Sequence, residues 1–186
     1  VGVLQSNSIK FSPEINNRRE RALNRVEFLP GFKLIMKFSE KFYPEAIDFS
    51  ASTGDHGYYD MAFKKESQDF ILTLLSTGKS PEEYFEAETE TEIVSSALME
   101  LDEIFEGKAS STYLGEYIIR DWGNHEFTLG TWTNAATNKN FNLNALNESL
   151  DGKVYFAGEI NDPHHQMGVP GAILSGYLSI NELLTD

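Results

Sequence analysis

The pattern of apolar and polar positions predicts three strands and one long helix in the middle of the chain. Every second residue from Phe32 to Phe38 is apolar, which is the period of a strand with one buried face. The apolar run that begins at Phe70 and the segment from Tyr117 to Trp122 indicate two more strands. Between them, apolar residues recur every three or four positions from Glu90 to Phe105. This spacing predicts an amphipathic helix that covers the sheet.

The two ends of the chain carry different patterns. Val1 to Gln5 and Ile9 to Phe11 are predicted to be short strands around a polar turn. Ser12-Pro13 is typical of a helix start, and residues 16–21, which are mostly charged or polar, are predicted to be a solvated helix face. At the other end, Val154 to Ala157 is an apolar run bounded by glycines, which favours a strand buried on both faces.

A glycine-rich turn and a helix follow that run. Gly168 to Gly171 precede Ala172 to Leu184, where apolar residues again have helical spacing. A helix start leaves free N–H groups and the positive end of a dipole, so it can hold a phosphate or another electron-rich group, although ordinary turn chemistry explains the glycines equally well. Taken together, the elements predict an α+β fold: a mixed β-sheet domain flanked by helices, with a C-terminal strand, turn and helix.

Charge and composition exclude several classes of function. The chain has 186 residues, 40 % of them apolar, and a formal net charge of −14, which disfavours nucleic acid as a partner. There is no cysteine, so neither disulfides nor thiolate metal sites can form. No apolar run approaches the roughly 20 residues of a membrane span, and we expect a soluble, cytoplasmic protein with no membrane partner.

Local chemistry alone assigns few residues a function. Periodicity makes Lys33 and Lys37 solvent-facing lysines of a strand. Residues 55–60 are predicted to form a polar turn, in which His56 with two aspartates is a poor metal site. His164-His165 is predicted to lie in a surface loop. The sequence therefore predicts no metal site.

Two segments near the C-terminus are more specific. Tyr155-Phe156-Ala157-Gly158-Glu159 and Gly171-Ala172-Ile173-Leu174-Ser175-Gly176 resemble the C-terminal signature of the flavin-containing amine oxidase family. The strand that ends at Trp122, followed by a polar loop that reaches Trp132, is similar to a second signature of that family. The pair Phe42-Tyr43 ends ten positions after Lys33, which is the family's spacing between its lysine and an aromatic pair. The resemblance extends from Val1 to Leu184.

This resemblance implies an FAD-dependent oxidoreductase that acts on a small-molecule amine. A C–N bond would be oxidised by hydride transfer to the flavin, with dioxygen as the final acceptor. Lys33 would be the catalytic residue that holds a water against flavin N5, and Trp132 would face the substrate. For Trp122 and Trp132, burial in the core is the simpler alternative. The residues that the resemblance assigns to FAD are Trp122, Gly158, Glu159, Gly168, Val169 and Ala172.

The family also implies a division of the chain. Residues 1–12 would be crossover strands from the FAD domain, residues 13–150 a substrate domain, and residues 151–186 the C-terminal FAD-binding segment. The Gly-x-Gly-x-x-Gly motif of a dinucleotide-binding unit is absent from the sequence. We therefore expect a fragment that lacks the N-terminal FAD-binding half, is inactive alone, and self-associates through the surface that met that half.

The sequence departs from the family at two positions. Thr131 stands where the covalent subgroup has a cysteine, so the resemblance implies noncovalent FAD. Residues 167–170 lack the second aromatic ring of an amine cage, which argues against a simple monoamine specificity. Two alternatives stay open: a noncatalytic substrate-binding or interaction domain, and a flavoprotein similar to carotenoid desaturases or protoporphyrinogen oxidases.

Overall fold

The computed structural model describes residues 1–51, 54–78, 89–134 and 142–185. It divides into two compact units, one formed by Val1–Leu29 and Asn124–Asp186 and the other by Pro30–Gly123. These boundaries differ from the predicted divisions at residues 12 and 150, and the roles assigned to those segments stay predictions. The described elements in chain order are α1 (Gly2–Gln5), α2 (Asn17–Leu23), β1 (Phe28–Leu29), β2 (Gly31–Phe38), β3 (Ala46–Ala51), β4 (Gly54–Asp60), β5 (Phe70–Gly78), α3 (Glu90–Phe105), α4 (Lys108–Thr112), β6 (Tyr113–Asp121), β7 (Trp132–Thr133), α5 (Leu143–Asn147), a 3₁₀ turn (Glu159–Asn161) and α6 (Val169–Thr185).

A five-stranded sheet organises the unit Pro30–Gly123. Its strand order is β3-β4-β5-β2-β6, so the three strands predicted from the sequence are the neighbours β5, β2 and β6. The pairings place Leu34 opposite Leu74 on one side and opposite Ile119 on the other. The α+β fold class is confirmed, and the pairings of this sheet are antiparallel where a mixed sheet was expected.

Helix α3 covers one face of this sheet. It begins with a capping box, in which the Thr89 side chain accepts from the backbone N–H of Glu92 and the Glu92 side chain accepts from Thr89. Its buried residues join the alternate residues of β2 and β5 in one core. That core contains Phe32, Leu34, Met36, Phe38, Leu72, Leu74, Ile93, Val94, Ala97 and Leu101. Because strand side chains alternate, Lys33, Ile35 and Lys37 lie on the opposite face.

The start of the other unit differs from its prediction. Gly2–Gln5 is a short helix, and residues 6–12 contain no strand, so the predicted crossover strands are wrong. Tertiary contacts explain the difference: the Gln5 amide donates to the carbonyls of Leu23 and Val26 at 2.8 Å each. Helix α2 begins at Asn17 with Asn16 as its cap, four residues after the predicted Pro13 start.

The predicted strand Val154–Ala157 is also wrong. Only an isolated bridge between Leu150 and Val154 forms there, and Ala157 is exposed. An apolar run becomes a strand only when a neighbouring strand satisfies its N–H and C=O groups, and the described residues supply none beyond that bridge. The helix that follows is confirmed, and it begins three residues earlier than the apolar pattern predicted.

Helix α6 packs through its small residues. A Cβ at Gly171 would lie 2.2 Å from the carbonyl oxygen of His165, so only glycine permits this approach. The buried Ser175 hydroxyl donates to the carbonyl of Gly158 at 2.8 Å, and Ser179 donates to the carbonyl of Phe156 at 2.8 Å. The large apolar side chains point outward; those at least half exposed are Val169, Ile173, Tyr177, Leu178, Ile180, Leu183 and Leu184.

Within the described part of the chain, no helix has both the length and the apolar composition that a membrane span requires.

The packing of α6 gives a paired prediction. Gly171→Ala should lower the free energy of unfolding by about 1–3 kcal/mol, because the added methyl group overlaps the backbone carbonyl of His165. Gly176→Ala in the same helix meets no atom within 4 Å and should raise it by roughly 0.5–1 kcal/mol. Urea unfolding of both variants measures the difference, and equal effects at the two positions would contradict this packing.

Candidate functional site

Lys33 lies near two aromatic rings on the face of the sheet opposite α3, which we call the open face because α3 does not cover it. Its Nζ is 5.6 Å from the ring centroid of Tyr59 on β4 and 5.8 Å from that of Trp122. Trp122 follows β6 directly, and its backbone N–H donates to the carbonyl of Gly31 at 3.1 Å. The ammonium group is therefore within the distance at which a cation is attracted to an aromatic face. Two of the predicted site residues, Lys33 and Trp122, are thus brought together.

Lys37 is on the same face but has a different environment. Its Nζ lies 2.9 Å from Oδ1 of Asp69, and this hydrogen bond, with the charges of Asp69 and Glu116, raises the pKa of the lysine. Among the described residues, no carboxylate forms an ion pair with Lys33. The N–H groups of Lys33 therefore stay available to a ligand or a water. The prediction that Lys33, and not Lys37, is the catalytic lysine requires this.

Glu159 connects the turn before α6 to β7. Its Oε1 accepts from the backbone N–H of Thr133 at 3.0 Å, and its Oε2 accepts from the Thr133 hydroxyl and from the backbone N–H of Met167, each at 2.9 Å. A carboxylate offers about four acceptor positions, so roughly one remains for a further donor. Glu159 is therefore bonded to Thr133, which follows Trp132 in the sequence, and to Met167, which precedes Gly168.

The predicted C-terminal cofactor residues gather in the unit formed by Val1–Leu29 and Asn124–Asp186. Gly158 is joined to α6 by a hydrogen bond from its N–H to the Ser175 hydroxyl at 3.0 Å. Gly168 precedes the helix, and its carbonyl accepts the first helical hydrogen bond, from Ala172, at 3.3 Å. Val169 and Ala172 in the first turn are exposed. Gly158, Glu159, Gly168, Val169 and Ala172 thus lie in one unit, and hydrogen bonds connect the segment 158–159 to Ser175 of α6 and to Met167 before it.

The second predicted tryptophan lies in the same unit. Trp132 pairs with Leu29 in a two-stranded sheet and is half-buried. The preceding residue, Thr131, donates its hydroxyl to the Leu29 carbonyl at 2.9 Å. Trp132 and Lys33 belong to different compact units.

Arg19 is a residue whose environment the sequence analysis misjudged. The prediction that residues 16–21 form a solvated face is wrong for Arg19, which is 1 % exposed. Its guanidinium carbon lies 3.8 Å from the ring centroid of Phe156, and Nε donates to the Ala145 carbonyl at 3.0 Å. Burial lowers the pKa of this arginine. The spacing of Arg19, Ala22, Leu23 and Val26 on one helix face was the signal that could have shown it.

A small cavity adjoins this arginine. It has a volume of about 190 Å³, and Arg19, Thr131, Phe156, Gly158 and Glu159 are among the residues that line it. Arg19 Nη1 is buried and has no hydrogen-bond partner in the described part of the chain. The cavity therefore places a cationic group beside the segment that the resemblance assigns to the cofactor.

His56 and His165 each contact a carboxylate. The predicted polar turn at residues 55–60 is wrong, because β4 occupies Gly54–Asp60 and pairs with both β3 and β5. His56 Nε2 lies 2.8 Å from Oε1 of Glu100, and Tyr58 donates to the other oxygen of that carboxylate at 2.5 Å. His165 Nδ1 lies 3.0 Å from Asp162 Oδ1. No group of three potential metal ligands occurs among the residues that the structure describes.

Comparison with known proteins places these features in a family. The chain is 27 % identical to polyamine oxidase 1 of Zea mays, over 99 % of this chain and 38 % of that protein. It is 30 % identical to the lysine-specific histone demethylase 1 homolog 1 of Oryza sativa subsp. japonica, over 95 % of this chain and 22 % of that protein. The chain therefore spans well under half the length of these curated relatives.

A solved structure agrees with the fold. Cyclohexylamine oxidase from Brevibacterium oxydans IH-35A matches 100 % of this chain with 41 % of its own, at a TM-score of 0.74 and 21 % sequence identity. The sequence model of the family described as flavin containing amine oxidoreductase matches residues 1–184. Because that match covers almost the whole sequence, the chain belongs to the flavin containing amine oxidoreductase family.

Proposed function

We propose that this chain is the C-terminal portion of an FAD-dependent amine oxidase, which oxidises a C–N bond with dioxygen as the acceptor. The observation that supports this most directly is the Lys33 ammonium between the rings of Tyr59 and Trp122. A cation with available donors beside an aromatic, open sheet face is suited to hold a water and to exchange a proton at Nζ. The isolated chain is expected to be inactive, since it spans only 38 % of polyamine oxidase 1.

Each unit carries residues that fit a flavin. In the unit Pro30–Gly123, Trp122 offers an aromatic surface beside Lys33. In the other unit, Glu159 retains roughly one acceptor position for a hydroxyl group. Gly158, Gly168, Val169 and Ala172 would approach the cofactor along the turn and the start of α6, where the helix dipole favours negative charge. When bound, FAD would supply the hydride acceptor and then the electron donor to dioxygen.

Thr131 supports a noncovalent attachment of the flavin. Its hydroxyl already donates to the Leu29 carbonyl, and an alcohol at this position cannot form the thioether that a cysteine would form. Trp132 would face the substrate from the next position in β7.

Flavin retention tests the proposal directly. The chain should be purified with excess FAD, alone and together with whatever sequence lies upstream in its gene, and scanned for the flavin band near ~450 nm. We expect the band only when the upstream sequence is present, because this chain spans only 38 % of polyamine oxidase 1. The absence of the band from both preparations would contradict the proposed flavoprotein function.

Lys33 has a matched control on the same strand and face. In the flavin-loaded preparation, Lys33→Met should slow amine-dependent dioxygen consumption by about 10²-fold or more, because the water and proton held at Nζ are lost. Lys37→Met removes a lysine that is paired with Asp69 and should leave the rate within about twofold. Equal losses in the two variants would show that Lys33 has no special role.

A second candidate function, a noncatalytic interaction domain, is favoured by the exposed apolar side of α6. Tyr177 and Ile180 are 68 % and 54 % exposed, and no described residue of their own unit covers them. Large exposed apolar patches of this kind mark contact surfaces. The flavin test separates the two candidates, because an interaction domain would retain no flavin in either preparation.

The same surface predicts that the isolated chain forms homo-oligomers. Tyr177→Glu or Ile180→Glu should shift the mass measured by sedimentation toward that of the 21.0 kDa monomer, because a charge opposes burial of the apolar surface. Asn181→Glu adds the same charge at an exposed polar position of the helix and should change the mass little. A monomer in the unaltered chain would contradict the prediction.

A further inference from the structure

Strand β6 lies at one edge of the five-stranded sheet. Among the described strands, β2 is its one neighbour, so no described strand pairs with its outer side. The strand has 9 residues and most of them are exposed. Three of its apolar side chains, Leu114, Tyr117 and Ile118, are 47 %, 37 % and 48 % exposed. A long edge strand with exposed apolar side chains is a template on which another strand can pair.

The alternation of hydrogen bonds identifies the backbone groups along that edge. Trp122 donates its N–H to the Gly31 carbonyl, across the β2–β6 ladder. Because bonded and non-bonded residues alternate in an antiparallel ladder, Arg120 also points its backbone groups toward β2, whereas Tyr117 and Ile119 point theirs outward. The Ile119 carbonyl accepts a hydrogen bond from Arg120 Nη1 at 2.8 Å. A side chain of the strand itself therefore occupies one acceptor of the edge.

Two opposite charges flank Ile118 on the open face. Arg120 is opposite Lys33 in the ladder and so leaves the same face. Glu116 lines a groove on that face together with Lys37 and Ile118. Glu116 and Arg120 are exposed, and neither is in an ion pair with any residue that the structure describes. Since each charge is two positions from Ile118, the strand is complementary to a reversed copy of itself.

We infer that the outer edge of β6 is a homodimer interface, in which β6 pairs antiparallel with β6 of a second copy about a two-fold axis at Ile118. In this register Glu116 of each copy is opposite Arg120 of the other. Tyr117 is opposite Ile119, and both have outward backbone groups, so the two equivalent pairs form about four N–H···O bonds. The interface uses the same surface on both copies and therefore closes as a dimer.

The charges select this register. A slip of two residues in either direction would place Arg120 opposite Leu114 or Ile118 of the second copy, and both ion pairs would be lost. In the proposed register, a backbone N–H of the partner replaces Arg120 Nη1 at the Ile119 carbonyl, which frees the guanidinium for the opposite Glu116. The same charges disfavour pairing with a strand that lacks this pattern.

This interface is distinct from the exposed apolar side of α6, which belongs to the other unit. The test therefore uses the 186-residue chain with Tyr177→Glu, in which α6 contributes less to association. The paired segment is short compared with the roughly 20–30 residues on each side of a standard interface, so sedimentation is measured at a high concentration, about 100 μM. We expect a mass about twice that of the 21.0 kDa monomer, and a monomer would overturn the inference.

Reversal of one charge provides a matched pair of variants. In that chain, Glu116→Arg and Arg120→Glu should each weaken the dimer by about tenfold or more, because like charges then face each other in both cross-strand pairs. An equimolar mixture of the two variants should restore the dimer, since Arg at 116 in one copy then meets Glu at 120 in the other. Recovery in the mixture also shows that both variants are folded. Single variants that dimerise like the parent chain would overturn the inference.

A disulfide tests the register without charge variants. The chain has no cysteine, so Ile118→Cys introduces one thiol, which would lie on the two-fold axis within reach of its equivalent in the second copy. Leu114→Cys is the control, because Leu114 is equally exposed and would be opposite Trp122. Under mild oxidation, Ile118→Cys should form the cross-linked dimer about fivefold faster or more, as measured on a non-reducing gel. Equal rates would overturn the register. Neither experiment needs flavin, so its outcome is independent of the proposed oxidase.

Discussion

The burial of one face of β2 is the constraint on which the candidate site depends. Phe32, Leu34, Met36 and Phe38 are almost completely buried between the sheet and α3. Since the side-chain period of a strand is two, a slip of one residue would place all four in solvent, which would cost several kcal/mol. The register of β2 against its neighbours is therefore strongly determined. Lys33 is held on the open face by residues that have no chemical role themselves.

The same register creates the charge pattern of that face. Lys33 is opposite Arg120, and it lies near Tyr59 and Trp122 because the strands that carry these residues are aligned in one sheet. Lys37 is neutralised by Asp69, whereas the Lys33–Arg120 pair has no described carboxylate partner. A sheet that is stabilised by its apolar face can accept this repulsion on the other face. The cost in stability is small compared with the free energy of the core.

The other unit uses close packing of small groups. Gly171, Ser175 and Ser179 let α6 approach the segment 156–159, and Glu159 ties that segment to Thr133. The buried Arg19 stacks on the ring of Phe156 in the same segment. As a result, the large apolar side chains of α6 face outward, which is the reverse of an ordinary surface helix. The motif residues that resemble the family signature thus have a packing role as well as a proposed cofactor role.

The pattern of apolar residues by itself determined strands β2, β5 and β6, helices α3 and α6, and the face on which Lys33 lies. It is clearest for β2 and α3, because each of these two elements buries an apolar stripe of its own. Only the tertiary structure decided the helix at Gly2–Gln5, the strand at Gly54–Asp60 and the irregular segment at 154–157, because partners distant in sequence supply or withhold their hydrogen bonds. The burial of Arg19 was also decided by the tertiary structure. Its charge predicted an exposed side chain, but hydrogen bonds to carbonyls more than 100 positions away in the sequence make burial favourable. The sequence pattern also does not show that Lys33 and Arg120 are opposite each other, because the strand pairing brings together residues that are 87 positions apart.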